Sequence, residues 1–145
     1  MSKAILISIK PKWVAKILNG KKTIEIRKSI PKCNLPIDVY IYCTKDKKYA
    51  NLVNRGGFLT GMVVAKFTLN KIQQIKFDNK QIQEQACLTE EELFDYLFIN
   101  NPYHEDMHKG YAWHIDNLEI FDRTRPLQPF FDLDRPPQSW CYIEV

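Results

Sequence analysis

Nine residues, GKKTIEIRK (Gly20–Lys28), decide how this chain is read. After the glycine, β-branched residues alternate with polar ones, the pattern of a strand with one apolar face. KTIEIRK places Ile24 and Ile26 on one face and Thr23, Glu25 and Arg27 on the other. The Cα atoms of Glu25 and Arg27 should then lie roughly 7 Å apart, from the rise per residue of a strand. At that separation the two can hold one bound group or pair with each other. An arginine fork suits a phosphate or a carbonyl edge, and a glutamate accepts from an exocyclic amine or serves as a base. Lys22 has the opposite parity and joins them only if the chain twists at the corner before the strand. On spacing alone the ordinary reading is an exposed charged face, where an ion pair is worth at most about 1 kcal/mol.

Upstream, AILISI (Ala4–Ile9) reads as a strand and PKWVAKILNG as a short helix. Pro11 suits the first helical position, Trp13, Val14, Ile17 and Leu18 recur at helical spacing, and Gly20 can end the helix left-handed. Downstream, SIPKCNLP is a loop, and IDVYIYCT (Ile37–Thr44) is a strand of strong β formers. FLTGMVVAKFTLNKI (Phe58–Ile72) reads as one long strand with Gly61 at a bulge or close approach. LTEEELFDYLF carries a capping box, Thr89 and Glu92, ahead of an apolar stripe of Leu93, Tyr96 and Leu97. YAWHIDNLEIF (Tyr111–Phe121) and SWCYIEV are the last strands, joined by a proline-rich connection. No repeat or linker divides residues 1–145, so one domain is expected, an α+β fold that is mainly β. About five to six strands with short helices suggest a small barrel or strongly curved sheet.

The 145 residues, 45% hydrophobic and 26% charged, describe a globular chain with a real core. No apolar run is long enough for a membrane helix and no signal peptide is evident, so a cytoplasmic location is expected. Cys33, Cys43, Cys87 and Cys141 form no C-x-x-C pair and read as small buried hydrophobes. The net charge of +4 is uneven: residues 1–50 hold twelve Lys/Arg against three Asp/Glu. A concentrated basic region favours anionic partners, nucleic acid above all, although a lysine-rich face is often merely solvated.

These pieces, in order, resemble the ASCH family of the PUA-like superfamily. SIKPKWVAKILNGKKTIEIRK matches the family opening, with G-x-K-x-x-E-x-R at Gly20, Lys22, Glu25 and Arg27. VYIYCTK, GMVVAKFTL, GYAWHIDNLEIFDRTRPL and PPQSWCYIE match later segments. The resemblance implies a PUA-like small β-barrel of five to six strands flanked by short helices. It implies recognition of RNA, or of a modified nucleobase or nucleotide, in a cationic cleft lined by Lys22, Glu25 and Arg27. DNA stays open as the other nucleic acid for such a cleft. Some members are ribonucleases or hydrolases of an acetylated cytidine. Those hydrolases carry threonine where this chain has Glu25, so their mechanism does not transfer unaltered.

Further candidates follow from position. Lys10, in the S-I-K-P corner, and Thr44 and Lys45, at a strand end, can extend a binding surface. Tyr111 and Trp113 alternate on one strand face and could stack a base, though core packing is the commoner use. Ser139 could bond phosphate, though capping a turn is commoner. HEDMH (His104–His108) matches H-E-x-x-H formally, but Pro102 and Gly110 bracket it and no helical stripe surrounds it, so no metal site is expected. No Gly-rich phosphate loop or dinucleotide fingerprint is present, and no cofactor is expected. Whether the protein is an enzyme stays open. The alternatives to recognition are a metal-independent ribonuclease or amidohydrolase, with Lys22 stabilising charge and Glu25 moving a proton, and a small regulatory protein-binding module. The oligomeric state is not legible.

Overall fold

The computed structural model describes residues 2–50, 53–54, 57–98 and 110–145. Along the chain run β1 (Lys3–Ile9), α1 (Pro11–Leu18), β2 (Ile24–Arg27), β3 (Ile37–Cys43), and the short β4 (Val53–Asn54) and β5 (Gly57–Phe58). Then follow β6 (Met62–Leu69), β7 (Ile72–Ile75), α2 (Lys80–Ala86), α3 (Glu90–Phe98), β8 (Gly110–His114), β9 (Asp116–Arg125) and β10 (Trp140–Glu144). One sheet has the order β10-β1-β3-β6-β9, a second the order β2-β8-β7, and β4 pairs with β5. Among the described strands β1 and β3 run parallel and the other pairs are antiparallel.

The two larger sheets face each other. Ile5, Ile7 and Ile9 of β1, with Val39, Ile41 and Cys43 of β3, pack on Trp113 of β8 and on Val14 and Ile17 of α1. The opposite face of the first sheet buries Leu6, Tyr40, Tyr42 and Val63 against Phe121 and Phe131. β1 is therefore covered on both sides from Ala4 to Ile9, which is why its apolar run hardly alternates. The outer face of the second sheet, Ile24, Ile26, Ile75 and Ala112, is closed by Ile82 and Ala86 of α2 and Leu93 and Leu97 of α3. Cys43 lies in the first core, where burial pushes its thiol pKa up to about 12 and makes it inert. The four cysteines are free.

The mainly-β class with short flanking helices holds, and it takes the open form. The strands form two larger sheets and the β4–β5 pair, not one continuous barrel, and exceed the expected five to six. Two expected strands are each divided. Residues 58–72 hold β5, a turn at Thr60–Gly61, and β6, with β7 starting at Ile72. Residues 111–121 hold β8 and β9, separated at Ile115. At both corners the chain leaves one sheet for the other, and the corners are tied together. The His114 N–H donates to the Lys71 carbonyl at 3.1 Å, and Asn70 Nδ2 donates to Asp116 Oδ2 at 3.4 Å. Both sheets share one core, so the apolar alternation runs through each corner without a break.

The helix that precedes the key strand forms as its sequence directs. Pro11 occupies the first turn, Val14 and Ile17 are buried, and Gly20 takes φ +82° just past the helix end. That left-handed turn sends the chain back toward the core and into β2.

Candidate functional site

β2 starts at Ile24, so strand alternation does not govern Lys22. The corner before it is pinned on both sides. The Lys22 N–H donates to the Lys16 carbonyl at 2.9 Å and the Thr23 N–H to Gln85 at 2.8 Å. This turns the Lys22 side chain inward, where the residue is 2% exposed. Its Nζ donates to the Ala86 carbonyl at 2.7 Å and lies 3.3 Å from Glu25 Oε1. It also sits 5.3 Å from the centre of the Trp13 ring. The twist that parity demanded is supplied by backbone bonds to α1 and α2.

Arg27 binds the other glutamate oxygen. Its Nη2 donates to Glu25 Oε2 at 2.6 Å and its Nε to the same oxygen at 3.2 Å. Nη2 also donates to the Ser8 carbonyl at 2.8 Å, and Nη1 donates to Ser139 Oγ at 3.0 Å. Ser8 in turn donates its hydroxyl to the Pro137 carbonyl at 2.7 Å. One arginine thus ties β2 to the end of β1 and to the turn before β10. Among the described residues, one hydrogen of Nη1 has no partner.

Glu25 is 6% exposed. Burial works to raise its pKa, but the charges of Arg27 and Lys22, and the hydrogen bonds they donate, outweigh burial and hold it below the ordinary value of 4.5. Glu25 is therefore an ionised acceptor at neutral pH and a weak base, with both oxygens engaged.

These residues form one end of a cleft of about 700 Å³. Lys10 and Thr44 also line it, together with Glu92, Asp95 and Tyr96 from the outward face of α3. The inward face of α3 is Leu93 and Leu97. Glu92 closes the capping box: its Oε1 accepts from the Thr89 N–H at 3.1 Å, and the Thr89 hydroxyl accepts from the Glu92 N–H at 3.1 Å. That cap is the first cause of a lowered Glu92 pKa, with Lys12 and Lys16 of α1 adding to it. Tyr96, assigned by sequence to the apolar stripe, is 38% exposed at the cleft. Burial of its hydroxyl raises its pKa, and Arg27 and Glu25 act on it in opposite directions. The described charged lining residues are Lys10, Lys22, Arg27, Glu25, Glu92 and Asp95. Among the described residues the lining holds three cations and three carboxylates and carries no net formal charge.

The structure brings Lys10, Lys22, Glu25, Arg27 and Thr44 together around one cleft, and it places the other four candidates differently. Lys45 is exposed and lies outside the cleft; its stem packs over Gly61, where a Cβ would meet Lys45 Cε at 3.1 Å. Ser139 does not line the cleft; its hydroxyl accepts from Arg27 and its carbonyl accepts from the Ser8 N–H at 2.9 Å. Trp113 is 0% exposed, its ring in the core and edge-on to Trp140 at 5.5 Å, so it cannot stack a base. Tyr111 packs on the same core. Both lie opposite β2 in the β2–β8 pair, Trp113 across from Glu25 and Tyr111 across from Arg27, which places them on the same sheet face as the ion pairs. The residues that sequence reasoning missed are Ser8, Trp13, Asp95, Tyr96 and Gln138, all cleft-lining, with Glu92 noticed only as a cap. The HEDMH motif at His104–His108 lies outside the described residues.

Comparison with known proteins follows this geometry. A family model described as ASCH domain matches residues 7–123. The crystal structure of ASCH from Zymomonas mobilis superposes with a TM-score of 0.69 at 23% identity, covering 97% of this chain and 87% of that one. A tyrosine-to-phenylalanine mutant of the Zymomonas mobilis protein gives 0.66 at 22% identity, covering 99% and 91%. A serine-to-alanine mutant gives 0.68 at 22%, covering 97% and 88%. At that identity the likeness is one of fold. No curated protein sequence matches the chain.

Proposed function

This chain belongs to the ASCH domain family, and on that premise we propose that its cleft recognises RNA by taking up one base, ordinary or modified. The observation that carries the reading is the buried Lys22–Glu25–Arg27 triad at one end of a cleft of about 700 Å³. Ligand pockets of this kind run from about 300 to 1,000 Å³ and combine apolar walls with a few fixed polar groups. Here the polar groups are the Arg27 Nη1 hydrogen, fixed by the triad, with the exposed Lys10 ammonium and the α3 carboxylates around it. Ile9, Trp13, Ile26 and Leu88 supply apolar surface.

Recognition is favoured over hydrolysis by the state of Glu25. A general base works best with a pKa near the operating pH. Glu25 is displaced in the opposite direction and its oxygens are already bonded. The same bonds make the triad a rigid frame for the cleft floor, which suits selection of a ligand.

The test is a gel with labelled single-stranded RNA, with and without chelator, comparing the protein with Lys22→Met and Arg27→Gln. A shifted, intact strand, at least tenfold weaker with Arg27→Gln, is expected. Fragments that vanish in Lys22→Met would replace recognition with cleavage. No shift and no fragments would remove plain RNA as the ligand.

A further inference from the structure

Three carboxylates line the cleft, and two are already occupied. Glu25 accepts from Lys22 and Arg27 on its two oxygens. Glu92 is committed to the α3 cap through Oε1. Asp95 is exposed and, among the described residues, has neither a hydrogen bond nor an ion pair. It lies one turn along α3 from Glu92 and beside Tyr96, whose exposed ring lines the same space. Facing this wall, Arg27 retains one Nη1 hydrogen and Lys10 contributes a solvated ammonium.

The cleft thus offers a free acceptor on one wall and free donors on the other, and its described lining carries no net formal charge. A ligand gains there by being neutral and bearing a donor at one edge and an acceptor at the next. The amino-bearing bases have that arrangement: an exocyclic NH₂ beside a ring nitrogen acceptor. Held in the same register, a keto base turns its oxygen toward the carboxylate and its ring N–H toward the cationic wall, a mismatch at both positions.

We propose that Asp95 selects an amino-bearing base, of the cytosine or adenine type, over its keto counterpart. Tyr96, which carries the Lys28 ammonium 5.0 Å from its ring centre, provides its other face for that base to stack on. This rests on the reading of the cleft as a base-binding site. It transfers to Asp95 the amine-accepting role that the sequence alone gave to Glu25, because the Glu25 oxygens are taken.

The test is calorimetric or NMR titration of the full chain with cytidine, uridine, adenosine and inosine, repeated with Asp95→Asn. Thermal melting confirms that the variant is folded, as an exposed position allows. The expected preference for cytidine over uridine, and adenosine over inosine, is on the order of tenfold, the size of one good base-edge pair. Asp95→Asn should bring both ratios toward one, because an amide both donates and accepts. Equal binding of the four nucleosides to the native protein would overturn the assignment and leave base recognition standing. So would an unchanged ratio in Asp95→Asn. No binding of any of the four would overturn both.

Discussion

At the scale of single residues, the triad joins stability to function. Lys22 and Glu25 are almost fully buried, and each is the other's compensation for lost water. Removing one partner of a buried pair costs about 3–5 kcal/mol because the other charge is left uncompensated. Glu25→Gln should lose stability in that range by chemical denaturation, since it strands Lys22 and Arg27 together. The pH dependence has a definite sign. The Glu25 pKa is lower folded than unfolded, so its contribution is full above the ordinary value of 4.5 and fades as the pH falls through the folded value. Glu25→Gln should flatten that acid limb of the stability profile; a limb unchanged in the variant would assign it to other carboxylates. The aromatic residues separate in the same way. Trp113→Ala should cost about 3–5 kcal/mol of stability as a core truncation. Tyr96→Ala should leave stability within about 1 kcal/mol and weaken base binding by about 1–3 kcal/mol. The chemical character of Lys22, Glu25 and Arg27 was legible in the G-x-K-x-x-E-x-R spacing. The inward turn of Lys22 was not, because it depends on carbonyls of Lys16 and Ala86, far apart in the sequence.

At the scale of elements, the local signals that carry their own geometry were readable. Pro11 and Gly20 bracket α1, and Thr89 with Glu92 caps α3. α2 was missed because its stripe is thin: only Ile82 and Ala86 are buried in a run of lysine and glutamines. Its cap is nonetheless clear in the structure, with Asn79 Oδ1 accepting from the Ile82 N–H at 3.2 Å. The divided strands were missed because an apolar pattern does not record which sheet a strand joins. α3 is the element that links stability to binding, since its cap holds Glu92, and with it Asp95 and Tyr96, on the cleft wall. Thr89→Ala should cost about 1 kcal/mol and should weaken base binding by a comparable factor. Unchanged affinity in that variant would separate the cleft from the α3 cap. Gly61→Ala should destabilise, because φ is +78° and the Lys45 stem stands 3.1 Å from the added Cβ.

At the scale of the whole molecule, the excess of cations in residues 1–50 is balanced by carboxylates among the described residues that line the cleft. Asp95 and Glu92 arrive from the middle of the chain and cancel it. The cancellation could not be seen in the sequence, because the helix that supplies it packs beside β2 only after folding. The consequence is a mild dependence on salt. Each phosphate neutralised on a single strand adds about 0.7 to the slope of log K against log salt. A cleft with no net charge that takes up a base should give a slope of about 1 or less. Steep dependence would point to a backbone track along the remaining lysines. The most direct measurement is a map of amide shifts on titrating a short single-stranded RNA into isotope-labelled protein. Saturable shifts are expected at Lys10–Trp13, Lys22–Arg27, Thr44, Leu88–Tyr96 and Gln138, and they should be lost with Arg27→Gln. Shifts confined to the β9 edge and Phe130, with the cleft amides unmoved, would contradict the cleft as the site of recognition.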